Sequence, residues 1–255
     1  MNGACAAPRV VVAGLASCFG CQLQITNAEK HLLDVLGQLD LQYWQLASSL
    51  QMPEGEFDVA VIEGAVTTEE GIQTVRDLRD RSAKLIAIGA CATTAGIPGM
   101  AAREHDGHVA RVYDGLPQAC GTVIAPRSVS SVVDVDYEIR CCPIDSMEFI
   151  QVLERALYGS NATLSTGTLC GSCKRNEDMC FWAQGKQCLG LVTLSGCGAK
   201  CVNLGRECNG CRGLSPDANL DAARNLVSRY GMDIEAFDRS LEIFNQTSPM
   251  LRGGE

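Results

Sequence analysis

Eight cysteines fall within the 42 residues from Cys170 to Cys211, spaced Cys170-x2-Cys173-x6-Cys180-x7-Cys188 and then Cys197-x3-Cys201-x6-Cys208-x2-Cys211. Each half supplies four thiols. A four-iron cubane takes four thiolates, and so does an all-cysteine structural zinc site. A C-x2-C pair suits either, because a tight loop lets two sulfurs grip neighbouring positions of one centre. Spacing in this segment leaves both chemistries open, and an N-terminal group decides between them. Cys18-Phe19-Gly20-Cys21 alone reads equally well as a redox dithiol. Cys91 and Cys142 would complete a third set of four if the fold brings them to the same place. Three such sets in one chain point to a relay of redox centres, since zinc has no redox chemistry.

The elements that must position these residues can be read from the hydrophobic pattern. Arg9–Leu15 is a short apolar, β-branched run. A helical segment follows, with Leu23, Ile25, His31, Leu32, Val35 and Leu36 near the 3.6-residue period. Leu41–Leu46, Phe57–Glu63, Lys84–Ile88 and Val132–Ile139 read as strands. Thr68–Arg81, with Ile72, Val75 and Leu78 at helical spacing, predicts an amphipathic helix, and Ser146–Leu157 another. This β-α-β-α order predicts a doubly wound parallel α/β sheet over residues 1–160. In such sheets the loops beyond the strand C-termini carry the functional groups. Cys18 and Cys21 follow the first strand, Cys91 follows Lys84–Ile88, and Cys142 follows Val132–Ile139, so all four are expected on one sheet edge. Glu63 ends another strand at that edge and is a candidate proton relay, although an acid at such a junction is more often simply solvated. Gly20 and Gly89 let the backbone approach a bulky group, and Pro143 stiffens the turn after Cys142.

Residues 161–255 form a second region. Asn161–Leu169 reads as a Ser/Thr/Gly-rich linker, Cys170–Cys211 as a loop-rich segment too poor in apolar runs to fold without metal, and Leu220–Tyr230 and Ile234–Phe244 as closing helices. Cys5, Cys120 and Cys141 are left over and read as packed or surface thiols. Cys141 adjoins Cys142 and competes with it for the fourth place in the N-terminal set. His31, His105 and His108 have no partners in the pattern, and Lys174–Asp178 reads as a solvated charged face.

Bulk properties remove other classes. The chain has 255 residues, fifteen of them cysteine, and a net charge of −9. An acidic chain repels phosphate backbones, which argues against nucleic acid. No run is long and apolar enough to span a membrane, and no secretory signal precedes the first strand. Thiols in such number without an export route point to the cytoplasm and to metal rather than disulfides. No P-loop, G-x-G-x-x-G or nucleophile–base order is present, so the chain shows no catalytic residues of its own.

The segments A-S-C-F-G-C-Q-L-Q-I (Ala16–Ile25), I-E-G-A-V-T-T (Ile62–Thr68), G-A-C-A-T-T-A-G-I-P-G (Gly89–Gly99) and V-D-V-D-Y-E-I-R-C-C-P-I-D (Val133–Asp145), with the Cys170–Cys211 segment, resemble the small subunit of [NiFe] hydrogenases. The resemblance runs from about residue 8 to residue 213. It implies a flavodoxin-like domain followed by a cluster-binding domain. It implies that Cys18, Cys21, Cys91 and Cys142 hold a proximal [4Fe–4S] cluster, Cys197, Cys201, Cys208 and Cys211 a medial one, and Cys170, Cys173, Cys180 and Cys188 a distal one. The implied partners are a large subunit carrying the NiFe centre and a diaphorase-like (flavin/NAD(P)) or other iron–sulfur subunit, as in the soluble multimeric branch. Two departures stand out: Cys141 where the family usually has Gly, and Gln22 where other branches have Glu. A cluster subunit of a quinone-reductase-type complex is the alternative, disfavoured by the eight downstream cysteines, and a zinc-stapled scaffold is a second.

Overall fold

The computed structural model describes residues 6–28, 30–102, 107, 111, 121–159, 165–173 and 179–252. Cys5, His105, His108, Cys120, the Lys174–Asp178 run and residues 161–164 of the expected linker lie outside the described residues. Five strands form the central sheet: β1 (Arg9–Gly14), β2 (Asp40–Trp44), β3 (Phe57–Glu63), β5 (Ser82–Ile88) and β7 (Tyr137–Ile139). Their order is β2-β1-β3-β5-β7, and every pairing is parallel. The sheet is therefore flavodoxin-like, with the chain reversing direction of growth between β1 and β3.

Both faces of this sheet are covered, which is why β1 and β3 are near-continuous apolar runs. Val10, Val12, Val59, Val61, Ile86 and Ile88 face one layer, closed by α1 (Gly20–Thr26) and by α5 (Ser146–Tyr158) through Phe149 and Leu153. Val11, Ala13, Ala60, Ile62, Leu85 and Ala87 face the other, closed by α3 (Glu69–Asp80) through Ile72, Val75 and Leu78. Thr68 caps α3 by accepting from Gly71 N–H (3.0 Å), with Glu69 and Glu70 in the first turn, where the helix dipole favours acids. Asp145 caps α5 in the same way, through Met147 and Glu148 N–H.

Three departures from the sequence reading are informative. The first helical segment is two helices, α1 and α2 (Lys30–Leu36), separated after Asn27. The strand expected over Val132–Ile139 is only Tyr137–Ile139. Val129–Ser131 is a 3-10 turn, and Asp136 ties itself to β5 through its side chain, accepting from Leu85 N–H (2.9 Å) just before the ladder begins. A small antiparallel pair, β4 (Val66–Thr68) with β6 (Val123–Arg127), has no counterpart in the sequence reading.

The C-terminal region is built differently. A one-turn helix α6 (Leu169–Cys173), 3-10 turns at Phe181–Gln184 and Leu189–Leu191, and the short helix α7 (Lys200–Asn203) carry its cysteines. Two longer helices follow, α8 (Leu220–Arg229) and α9 (Ile234–Asn245), then α10 (Pro249–Arg252). This region does own a core: Leu169, Phe181, Trp182, Leu189 and Val192 pack with Ala223, Val227, Phe237 and Leu241 of α8 and α9. Much of the apolar surface comes from the closing helices rather than from the cysteine segment. Arg212 joins the two regions. Its guanidinium, 5% exposed, donates to both Glu148 carboxylate oxygens on α5 (2.7 and 2.8 Å), to Arg140 O (2.6 Å) and to Ser195 O (2.9 Å). Thr247 Oγ1 adds a bond to Thr94 O at the end of α4 (Gly89–Thr94) (2.7 Å). No helix among the described residues is long and apolar enough to cross a membrane.

Candidate functional site

Three strand ends meet as the parallel topology requires. Cys18 and Cys21 follow β1, Cys91 lies in α4 directly after β5, and Cys142 follows β7. The four thiols lie close enough to act on one another electrostatically: Cys21 on Cys91 and Cys142, Cys91 on Cys18 and Cys142, and Cys142 on Cys18. Burial pushes Cys21 and Cys91 up, Cys91 to about 11. Cys18 and Cys142 are exposed, so the set opens on the surface. Gly89 is left-handed (φ 83°), and a Cβ there would collide with Cys21 Sγ. The glycine thus keeps clear a cradle that the thiol occupies, as a bulky group beside the backbone needs.

Glu63 is not a solvated strand end. It is 1% exposed, and its two carboxylate oxygens accept the N–H groups of Cys21 (3.1 Å) and Gln22 (3.3 Å). Burial raises its pKa despite those donors. The carboxylate therefore anchors the C-x2-C turn. Gln22 is wholly buried beside it, and its Oε1 accepts from the Trp44 indole N–H (2.9 Å) and Leu46 N–H (3.3 Å). A glutamate at position 22 would bury a second negative charge beside Glu63, which gives the departure at Gln22 a physical reason.

The C-terminal thiols lie against this site. Cys197, Cys201, Cys208 and Cys211 line one cavity of about 220 Å3, which Cys142 also borders. That is several times the roughly 30 Å3 share of a water molecule, room for a polyatomic group. Cys141 lines it too, with its sulfur 3.6 Å from Cys211 Sγ. The sequence reading placed Cys141 in competition with Cys142. The structure turns it away from the N-terminal set: in the bend after β7 its side chain is buried against Cys211, whereas that of Cys142 is exposed. Cys170, Cys180 and Cys188 lie beyond: Cys170 and Cys188 sulfurs flank Gly190, and Cys188 senses Cys180. Cys173 ends α6 and packs against the same core. Cys208 N–H donates to Cys188 Sγ (3.3 Å), so the two C-terminal sets touch. His31, by contrast, is exposed on α2.

Among the described residues, no three His, Cys, Asp or Glu donors converge tightly enough for one metal ion. A tetrahedral zinc site needs all its sulfurs at about 2.3 Å from a single point. A cubane places each thiolate on a different iron and so takes its four sulfurs from more widely spaced positions.

The sequence model of the NADH ubiquinone oxidoreductase 20 kDa subunit family matches residues 18–156. The delta subunit of sulfhydrogenase 2 from Pyrococcus furiosus is 36% identical over 232 residues, covering 90% of this chain and 96% of that one. The chain belongs to the family of hydrogenase small subunits. The quinone-reductase alternative shares the family model of the sheet region, but the match to the sulfhydrogenase subunit extends over both regions. The delta subunit of the NAD-reducing hydrogenase HoxS from Cupriavidus necator is 31% identical over 166 residues, covering 59% of this small subunit and 79% of its own length. Among solved structures, the [NiFeSe] hydrogenase of Desulfomicrobium baculatum superposes with a TM-score of 0.57 at 17% identity, over 84% of this small subunit and 97% of that chain, which shows the shared fold. This small subunit is thus part of a hydrogenase, an oxidoreductase.

The sequence reading took Cys141 as a packed thiol facing away from the N-terminal set but missed its contact with Cys211 and the Arg212–Glu148 seam. The adjacency of Cys141 and Cys142 carried that much, since one of them must face away from the sheet edge. What lies on that other side depends on a contact across 70 residues, which no local pattern encodes.

Proposed function

We propose that this small subunit carries electrons through three [4Fe–4S] clusters between the NiFe centre of the large subunit and a further redox subunit. Cys18, Cys21, Cys91 and Cys142 would hold the proximal cluster, Cys197, Cys201, Cys208 and Cys211 the medial, and Cys170, Cys173, Cys180 and Cys188 the distal. Bound clusters supply one-electron redox chemistry; the chain fixes their positions and surroundings. The observation that carries the reading is the continuous file of thiols. It runs from exposed Cys18 and Cys142, through the cavity of Cys197 and Cys211, across the Cys208–Cys188 hydrogen bond, to exposed Cys180. Both ends reach the surface, as a relay between two partners requires.

Leu23, Ile97 and Met147 are exposed apolar residues within a few positions of Cys21, Cys91 and Cys142 in the chain, suited to docking of the large subunit. At the far end, exposed Met179 adjoins Cys180 and would face a diaphorase-like (flavin/NAD(P)) or other iron–sulfur subunit. An NAD(P)-linked acceptor rests on the likeness to the HoxS subunit. A cytoplasmic location goes with that reading. Glu63, buried against Cys21, would carry protons beside the proximal set.

Anaerobically purified protein should contain about twelve irons and about twelve acid-labile sulfides per chain. Mainly zinc, or one cluster's worth of iron, would overturn the proposal. Cys142→Ser in the assembled hydrogenase should lose or convert the proximal cluster and cut hydrogen-dependent dye reduction.

A further inference from the structure

On the three-cluster reading one described thiol is left over, and it occupies a shared position. Cys141 is 9% exposed, its sulfur lies 3.6 Å from Cys211 Sγ, and Cys197 is its other thiol neighbour. It therefore adds to the four proposed medial thiols around a cavity that Cys142 also borders. Its main chain belongs to the other site. The Cys141 carbonyl accepts from Ala90 N–H (2.8 Å), one residue before Cys91, and the next residue is Cys142. One residue thus has its backbone in the proximal loop and its side chain in the medial cavity. The Arg212 guanidinium, locked to Glu148, acts electrostatically on both Cys141 and Cys197.

We propose that Cys141 is a positioning residue of the medial cluster: held by its main chain in the proximal loop, it donates its S–H to the Cys211 sulfur. This rests on the three-cluster reading above. A cluster gains one negative charge when it accepts an electron. A hydrogen bond to a ligand sulfur stabilises that added charge and raises the potential. Cys141 does not act as a ligand, because Cys197, Cys201, Cys208 and Cys211 already supply four thiolates from the same cavity wall. A glycine at position 141 would remove the donor and leave the main-chain bond from Ala90 N–H in place, so the side chain and the backbone have separable roles.

The test is a redox titration of the assembled hydrogenase, followed by electron paramagnetic resonance, for the wild type, Cys141→Ala and Cys141→Ser. The signal lost in Cys142→Ser marks the proximal cluster, and that lost in Cys197→Ser the medial. Cys141→Ala should make medial reduction about tenfold less favourable, about 59 mV lower for a one-electron couple. Proximal potential and iron content should not change. Cys141→Ser keeps a donor and should recover most of the shift. A shift confined to the proximal signal, or none in either, overturns the proposal. Loss of about four irons in Cys141→Ala also overturns it, by making Cys141 a ligand. Wild-type protein with fewer than three clusters' worth of iron defeats the underlying reading itself, independently of the variants.

Discussion

The sheet region and the cysteine region solve the same problem, placing four thiols around a group, by opposite means. In the first, apolar burial comes first: β1, β3 and β5 are packed on both faces, and the thiols sit on loops that the finished sheet presents. In the second, the thiols are themselves core. Cys188 and Cys208 are buried among Leu189, Phe181 and Trp182, Cys188 at the head of a single 3-10 turn and Cys208 in irregular structure. A scaffold of the first kind can stand without its cluster, because hydrophobic burial already offsets chain entropy. One of the second kind depends on ligation for much of its order.

The largest expected effect follows from that contrast. Removing iron by chelation or oxidation should open Cys170–Cys211 to protease well before the sheet is cut. The two tryptophans report the regions separately, since Trp44 is buried in the sheet layer and Trp182 in the cysteine region. Trp182 fluorescence should change on cluster loss while Trp44 keeps its native emission. Equal protease resistance in both regions of cluster-free protein would break the comparison.

Next in size is the seam. Arg212→Ala leaves Glu148, with its side chain 10% exposed, as an unpaired buried carboxylate. Such a loss costs about 3–5 kcal/mol, whereas replacing both partners by apolar residues of similar volume is often close to neutral. Urea titration should therefore show Arg212→Ala far less stable than Arg212→Met combined with Glu148→Met. If the double variant is as unstable as the single, the pair stabilises the seam by itself and not merely by mutual cancellation.

The same contrast explains what the sequence disclosed. Phe57–Glu63 was legible as a strand because burial on both faces leaves an unbroken apolar run, and Thr68–Arg81 as a helix because its cap and its Ile72, Val75, Leu78 stripe are local. Given that order of elements, convergence of Cys18, Cys21, Cys91 and Cys142 followed from topology. The β4–β6 pairing was not legible, because it joins three-residue and five-residue segments more than fifty positions apart. Nor was the abutment of Cys208 on Cys188, or of Cys141 on Cys211: in loop-rich structure no periodicity says which side chain faces which. Glu63 looked solvated because its partners are backbone N–H groups, which carry no residue signature.

The smallest effect tests the sheet side of the comparison alone, at the strand that delivers Cys141 and Cys142. Burial alone would raise the Asp136 carboxyl, but donors from Arg79 (2.6 Å), Lys84 (2.9 Å) and Leu85 N–H (2.9 Å) outweigh it and hold the group at about 2, below its ordinary 3.8. The unfolded chain therefore binds this proton at higher pH than the folded chain does. The stabilisation is fully present above the unfolded value and is lost as pH falls through about 2. A carboxyl held this far below its ordinary value, in a network that water partly screens, stabilises the fold by roughly 1–2 kcal/mol near neutral pH. Asp136→Asn keeps the shape and removes the charge. Urea unfolding followed by Trp44 emission should show that deficit undiminished between about pH 7 and about pH 5, shrinking through about pH 3 and closing near about pH 2. A deficit that persists at the acid end would assign the effect to geometry at the head of β7 rather than to charge. A matching change at Trp182 would show that the two regions do not report independently.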